Sequence, residues 1–437
     1  MKLRIEKMVY GGAGRGYPVD GEDAAATGLV AFTLPGEVVE AEPAGEVGGE
    51  ARLVQVLERS AVRVEPRCGH FGECGGCQYQ HVEYAAQVGM KAGILRETLE
   101  AAGLRDLPEV QVHAGEAWEY RNRIRLRVSV VEGALRLGYS RRGGNEFLAI
   151  GECAIAAPVL WRAAEALVEV AKGESVAARW ARSAVEVEFF AIADESRLQM
   201  TLFVRKELAG GFADFCEAMR LVVPELVGAG VAVMQAEGAQ KRRLERVRAG
   251  ATWGVAGLKY GAMGREYWVS RGGFFQVNRW LVEELAGVVT AGRKGLLAWD
   301  LYAGVGLFSR VLAEGFAQVV AVEGGEVAAR DLAGALKGKG MQSFCAATVE
   351  FLRAVVVQRE RPELVVMDPP RAGVGAEVCA LLLRVCAPEM VYVSCDPVTL
   401  ARDVKVLVEG GYRVVEVHMV DMFPQTFHLE SVVVLRR

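Results

Sequence analysis

Apolar and polar positions change period along the chain. Residues 1–60 alternate short β-like runs with glycine turns, in "LRIEKMVYGGAGRG", "GLVAFTLPGEVVEAEPAG" and "EARLVQVLE". Short strands at this spacing predict a small β-barrel. Residues 84–104, "YAAQVGMKAGILRETLEAAGL", have helical periodicity that stops at a glycine. Residues 119–153 read as two or three strands, and residues 155–265 as a mixed α/β region of undefined order. From about residue 270 apolar strands alternate with helical stretches: "GLLAWDLYAGVG", "AQVVAVEGG", "MQSFCAAT", "ELVVMDPPR", "MVYVSCDP", "YRVVEVHMVD" and "ESVVVLRR". This rhythm predicts an α/β fold with a doubly wound, mostly parallel sheet. The last two segments leave no room for a helix between them and predict a terminal antiparallel hairpin. The seven segments predict a mostly parallel, Rossmann-like seven-stranded sheet ending in such a hairpin.

Composition narrows the class. The 437 residues suffice for two or three domains, and 52% hydrophobic content argues against disorder. No apolar stretch reaches the ~18 residues of a membrane span, and "MKLRIEKMVYGG" lacks the apolar core of a signal peptide. A soluble, cytoplasmic, monomeric protein is expected, with reduced cysteines and no membrane partner. The net charge of −4 means that any nucleic acid must be bound through local basic surfaces. "YRNRIRLR" (120–127) and "QKRRLERVR" (240–248) are the candidates for phosphate contact.

Five constellations carry chemistry. In "DLYAGVGLFSR" (300–310), a strand ends at Asp300, and Gly304 and Gly306 permit a tight turn into a helix. Glu323 ends the next strand, where an acid can bond ribose hydroxyls. The absence of G-x-G-x-x-G disfavours NAD and favours S-adenosylmethionine. In "VVMDPPRAGVG" (365–375), two prolines stiffen the loop that holds Asp368 at the sheet edge. In "VSCDPVTLARDVKVL", Asp396 can N-cap a helix with Pro397 in its first turn. Cys395 then lies beside a helix N-terminus, which favours a thiolate. In "FPQTFHLESVVVL" (423–435), His428 and Glu430 are two residues apart and would share a strand face, so either could be a base. Last, "CGHFGECGGCQYQH" has the spacing C-x5-C-x2-C and is followed far downstream by Cys153. Four thiolates suit zinc or an iron–sulfur cluster, and three crowded into one glycine-rich loop favour [4Fe–4S]. Cys216, Cys345, Cys379 and Cys386 read as structural.

Together these motifs resemble the RNA uridine-5-methyltransferase family, which forms 5-methyluridine. Residues 1–60 are similar to its TRAM RNA-binding barrel, "RVEPRCGHFGECGGCQYQH" to its iron–sulfur loop, and "EYRNRIRLRV" to its central domain. "GGFFQVN", "DLYAGVG", "DPPR", "SCDP" and "HLESVV" follow in the family's order. The resemblance implies that Gln276, Tyr302, Glu323 and Asp368 bind S-adenosylmethionine, that Cys395 is the nucleophile and Glu430 the general base. It implies Cys68, Cys74, Cys77 and Cys153 as [4Fe–4S] ligands. The implied domains are a barrel at 1–60, a central α+β iron–sulfur domain at 61–83 and 117–265, and a catalytic domain at 84–116 and 266–437. Leu307 replaces an asparagine frequent in the cofactor loop, and Ala347 an acidic residue near the adenine, which implies a weaker or differently arranged cofactor grip. The cysteine set leans towards the 23S ribosomal RNA branch, with transfer RNA as the other substrate. Three rivals are a noncatalytic RNA-binding assembly factor, an iron–sulfur redox enzyme and a cytosine methyltransferase. The intact Cys395 and Glu430, the lack of a flavin site and the lack of a Pro-Cys motif oppose them in turn.

Overall fold

A computed structural model describes residues 1–19, 28–43, 50–235, 246–358 and 361–437. The basic residues of 240–245 therefore lie outside the described residues. Five antiparallel strands come first: β1 Lys2–Met8, β2 Ala13–Pro18, β3 Gly28–Ala31, β4 Val38–Glu42 and β5 Arg52–Glu58, in the order β3-β2-β1-β4-β5. The sheet curls until Val30 bridges Ala51, whose amide donates to the Leu29 carbonyl at 2.7 Å. Leu3, Ile5, Val30, Val39 and Ala41 fill its interior, as the alternating pattern requires.

After the cysteine loop come helix α1 (Tyr84–Ala101) and strand β6 (Val110–His113). The predicted strands at 119–153 are β7 Arg123–Val131, β8 Ala134–Ser140 and β9 Phe147–Ala149. The region left undefined by sequence contributes α2 Pro158–Val170, α3 Val176–Ser183, β10 Ala184–Ala191, β11 Leu198–Val204, α4 Phe212–Val222, β12 Leu226–Gln235 and β13 Arg246–Gly254. These strands form one sheet, β13-β12-β11-β10-β7-β8-β9, with helices α2 to α4 packed on it. The hairpin of β14 (Gly257–Ala262) and β15 (Arg265–Ser270) follows.

The last part alternates α5 Val282–Thr290, β16 Gly295–Leu301, α6 Leu307–Gly315, β17 Phe316–Glu323, α7 Glu326–Ala335, β18 Met341–Cys345, α8 Thr348–Gln358, β19 Leu364–Met367, α9 Gly375–Val385, β20 Glu389–Ser394, α10 Pro397–Glu409, β21 Arg413–Val420 and β22 Glu430–Arg436. The sheet order is β18-β17-β16-β19-β20-β22-β21-β6. The sheet therefore has eight strands, and the expected seven is corrected. The extra strand, β6, pairs parallel to β21 across some three hundred positions of sequence, Val110 opposite Val417. The expected terminal hairpin is present, with β22 antiparallel to both β20 and β21.

Helices α1, α8, α9 and α10 cover one face of this sheet, and α5, α6 and α7 the other. Helix α1 is fixed by a fully buried ion pair, Lys91 Nζ donating to Asp421 Oδ1 at 2.6 Å, and by a second bond to the Phe423 carbonyl at 2.9 Å. Among the described residues no helix is long and apolar enough to cross a membrane.

Candidate active site

Parallel strands end together at one edge of the large sheet. β16 leads to Tyr302, β17 ends at Glu323, β19 leads to Asp368 and β20 leads to Cys395. Chain order reverses between β16 and β19, and such a reversal opens a crevice at the carboxyl ends of the strands. β22 enters this edge from the opposite direction, so its first residue, Glu430, arrives beside the end of β20. A cavity of about 1080 Å³ occupies the crevice, and Gln276, Tyr302, Glu323, Asp368, Cys395 and Glu430 all line it. Six residues drawn from positions spread over 276–430 are thus brought together.

The glycine loop turns as its sequence predicts. Tyr302, Gly304 and Gly306 have φ of 64°, 56° and 89°, and a Cβ on Gly306 would meet Leu332 at 2.8 Å. Glu323 ties two turns together: Gly304 N–H donates to one carboxylate oxygen at 2.8 Å and Gly325 N–H to the other at 2.6 Å. Leu307 and Ala347 both line the cavity, and Leu307 also receives a bond at its carbonyl from Tyr267 Oη at 3.2 Å.

Beneath the loop Asp300 is fully buried. Ser309 Oγ donates to its Oδ2, while Oδ1 has no partner, and burial lifts the carboxyl to about 7. Asp368 is raised as well, by burial and then by Asp300, against the opposing Gln276 Nε2 bond at 3.2 Å.

Asp396 caps α10 as expected, its Oδ1 accepting from Val398 N at 3.0 Å and Thr399 N at 2.9 Å. The expected thiolate at Cys395 is not what this environment favours. Burial, then the Glu430 and Asp368 carboxylates, push its thiol up to about 12, with Arg371 opposing. The helix N-terminus is outweighed because desolvation penalises the anion directly. Glu430 is held well above the usual carboxylate range by burial and by Asp368, and its Oε1 is sealed without a partner.

His428 is not on the strand, which begins at Glu430, and it does not line the cavity. Burial first and then Arg371 lower its ring to about 3. The shared-face argument for His428 therefore fails. Arg371, overlooked in the sequence, lines the cavity, opposes the rise of the Cys395 thiol and contacts His428 Nε2 at 3.3 Å. Its signal was its place directly after the two prolines of "DPPR". Thr399 Oγ1 and Arg402 Nη2 fix this loop by bonds to the Arg371 and Ala372 carbonyls at 2.9 and 2.8 Å.

Cys68, Cys74, Cys77 and Cys153 line a second cavity of about 560 Å³ with Arg121 and Tyr139. Among the described residues no group of three or more His, Cys, Asp or Glu side chains has the spacing for a single metal ion. Burial raises all four thiols, Cys77 to about 12, and Arg121 opposes that rise at Cys77 and Cys153. For a thiolate-held group the loop offers Gly76 N–H, which donates to Cys74 Sγ at 3.4 Å, and Arg121 Nε, which is sealed without a partner. The same loop is tied to the segment that leads into Glu430: the Gln78 and Tyr79 amides donate to the Gln425 carbonyl at 3.0 and 2.9 Å.

Most guanidiniums of the "YRNRIRLR" segment have partners within the protein. Arg121 faces the cysteines. Arg123 pairs with Glu188 at 2.9 Å and lies over Phe190, Arg125 pairs with Glu186 and lies over Phe203, and Arg127 bonds the Asn145 carbonyl at 2.6 Å. These guanidiniums are engaged across strands.

Residues 83–437 match the family model described as tRNA (uracil-5-)-methyltransferase. The chain is 32% identical over its whole length to a 23S rRNA (uracil(1939)-C(5))-methyltransferase of Chromohalobacter salexigens, covering 89% of that protein. It is 30% identical over its whole length to an uncharacterized RNA methyltransferase of Aquifex aeolicus, covering 98%. Among solved structures, the tRNA (uracil-54, C5)-methyltransferase of Pyrococcus abyssi, in complex with S-adenosyl-L-homocysteine, shares the fold. Its TM-score is 0.74 at 23% identity, with full coverage of both chains.

Proposed function

Because the chain belongs to the tRNA (uracil-5-)-methyltransferase family and is an RNA uracil-5-methyltransferase, we propose that it methylates C5 of a specific uridine in 23S ribosomal RNA, with S-adenosylmethionine as donor. The observation that carries this reading is the convergence of Cys395 and Glu430 with Gln276, Tyr302, Glu323 and Asp368 on one cavity. The ribosomal substrate rests on the whole-chain similarity to the 23S enzyme. Transfer RNA is the second reading, favoured by the family description.

S-adenosylmethionine would be held by Gln276, Tyr302, Glu323 and Asp368, and when bound it supplies an electrophilic methyl group. The work of this chain is to make uracil C5 nucleophilic. The Cys395 thiol passes its proton to water and the thiolate sulfur adds to C6, breaking the C5–C6 double bond and leaving an enolate with carbanion character at C5. After C5 has taken the methyl group, ionised Glu430 removes the C5 proton, the C5–C6 double bond re-forms and the thiolate leaves. Arg371 faces both groups and favours the anionic form of each. The uridine must be flipped from its stack to reach this depth, which is least costly in a loop or distorted helix.

Domains are proposed as a TRAM-like RNA-binding sheet at 1–60, an iron–sulfur domain at 61–83 and 117–265, and a catalytic domain at 84–116 and 266–437. The four cysteines of the second cavity are proposed to hold a [4Fe–4S] cluster. Mass spectrometry of 5-methyluridine in ribosomal and transfer RNA, from cells with and without this protein, tests the function. A site lost from 23S RNA supports the first reading, and one lost from transfer RNA the second. Unchanged 5-methyluridine in both would remove the proposal.

A further inference from the structure

The turn between β1 and β2, Val9–Gly12, belongs to a run of glycines that the reaction above does not use. It lies at the rim of the site. Tyr10 Oη donates to Asp396 Oδ2 at 3.2 Å. The other oxygen of that carboxylate caps α10. One carboxylate thus joins the N-terminal sheet to the helix that starts immediately after Cys395. The Tyr10 ring also packs edge-on against Phe427, with centroids 5.4 Å apart, and Phe427 packs against His428 at 4.1 Å. This second contact reaches the segment that leads into Glu430.

Gly12 makes the approach possible. Its φ is +93°, and a Cβ there would stand 3.0 Å from Gln78 Cβ and 3.4 Å from Phe427 Cβ. The turn is therefore seated closely on the base-bearing segment, independently of the Tyr10 hydrogen bond.

We propose that Tyr10 is a positioning residue for methyl transfer: through Asp396 and Phe427 it braces the nucleophile segment and the base segment together. The inference rests on the roles assigned to Cys395 and Glu430. It makes the N-terminal sheet part of the catalytic apparatus in addition to any role in holding RNA.

Tyr10→Phe removes the hydroxyl and keeps the ring, so the contact with Phe427 remains. The probe is ribosomal RNA from cells lacking the protein, with labelled S-adenosylmethionine. The expected result is a fall in kcat of about tenfold, the size of one lost bond to a charged acceptor, with KM for RNA changed by less than about twofold. Asp396→Asn and the double variant complete a cycle, in which the double variant loses little more kcat than Asp396→Asn alone. Wild-type kcat in Tyr10→Phe, a loss confined to KM, or fully additive losses in the cycle would each overturn the brace and leave the uracil-methylation reading standing. Wild-type protein that forms no 5-methyluridine on either RNA removes both.

Discussion

Ser394 and Ser431 stand opposite each other in β20 and β22, and Ser431 Oγ donates to the Ser394 carbonyl at 2.9 Å. This register sets the next residue of one strand, Cys395, beside the preceding residue of the other, Glu430. Because the strands run antiparallel, the proposed nucleophile and base come to one edge although 35 positions separate them. A slip of one residue would turn Glu430 to the other face of the sheet.

Cys395→Ser is expected to lower methyl transfer by a factor on the order of 10⁴ or more, since the nucleophile itself is lost. Glu430→Gln should still form the C6 adduct and then stall. The check is a gel-shifted, denaturation-resistant protein–RNA species that accumulates in Glu430→Gln and is absent in Cys395→Ser. If Cys395→Ser methylates at a normal rate, covalent catalysis by this residue is excluded.

The thiol of Cys395, raised to about 12, should react slowly with iodoacetamide at neutral pH and faster as pH rises. Glu430 is one of the charges that raise it, and Arg371 opposes them. Glu430→Gln should therefore speed alkylation of Cys395 at a given mildly alkaline pH, and Arg371→Ala should slow it. Site-resolved mass spectrometry reads this, with exposed Cys345 as internal reference. Equal rates in all three proteins would refute this account of the thiol.

Asp300 links the site to stability. Its carboxyl is about 7 when folded against the usual 3.8, so the unfolded chain loses this proton first as pH rises. Its contribution is fully present below the unfolded value and is lost as pH climbs through 7. Asp300→Asn should thus gain stability relative to wild type between acid and mildly alkaline pH, by up to a few kcal/mol. Melting temperatures measured across that window provide the check. A constant difference would contradict the burial argument.

Lys91 and Asp421 are both fully buried. Lys91→Met leaves the carboxylate alone and should cost about 3–5 kcal/mol in denaturant unfolding. Replacing both by apolar residues should recover most of that loss. Failure of the double variant to recover would mean that Lys91 acts chiefly through its bond to the Phe423 carbonyl.

Anaerobically purified protein is expected to contain about four iron and four sulfide per chain, the content of one cubane. Cys77→Ala should lose both. Zinc without sulfide would refute the cluster.

The large sheet and the gathering of Gln276, Tyr302, Glu323, Asp368, Cys395 and Glu430 at one cavity were legible because buried parallel strands write themselves as apolar runs, and Gly304, Gly306, Pro369 and Pro370 punctuate their ends. Strand β6 was not. "VQVH" is short, its Val112 is 43% exposed, and it is a strand only because β21 lies beside it. The fate of Arg123 and Arg125 was hidden for the same reason: Glu188 and Glu186 come from β10, a partner no local pattern names. The state of Cys395 depended on burial and on Glu430 and Asp368, which outweighed the helix cue visible in "SCDP".

The insertion of β22 between β20 and β21 has a consequence for biosynthesis. A growing chain makes the nucleophile strand first, then the outer strand, and only afterwards the strand that must enter between them. Until it does, the sheet has a gap, and the cysteine has no base beside it. The proposed catalytic pair thus comes together only when β22 enters, by the same step that closes the core between β20 and β21.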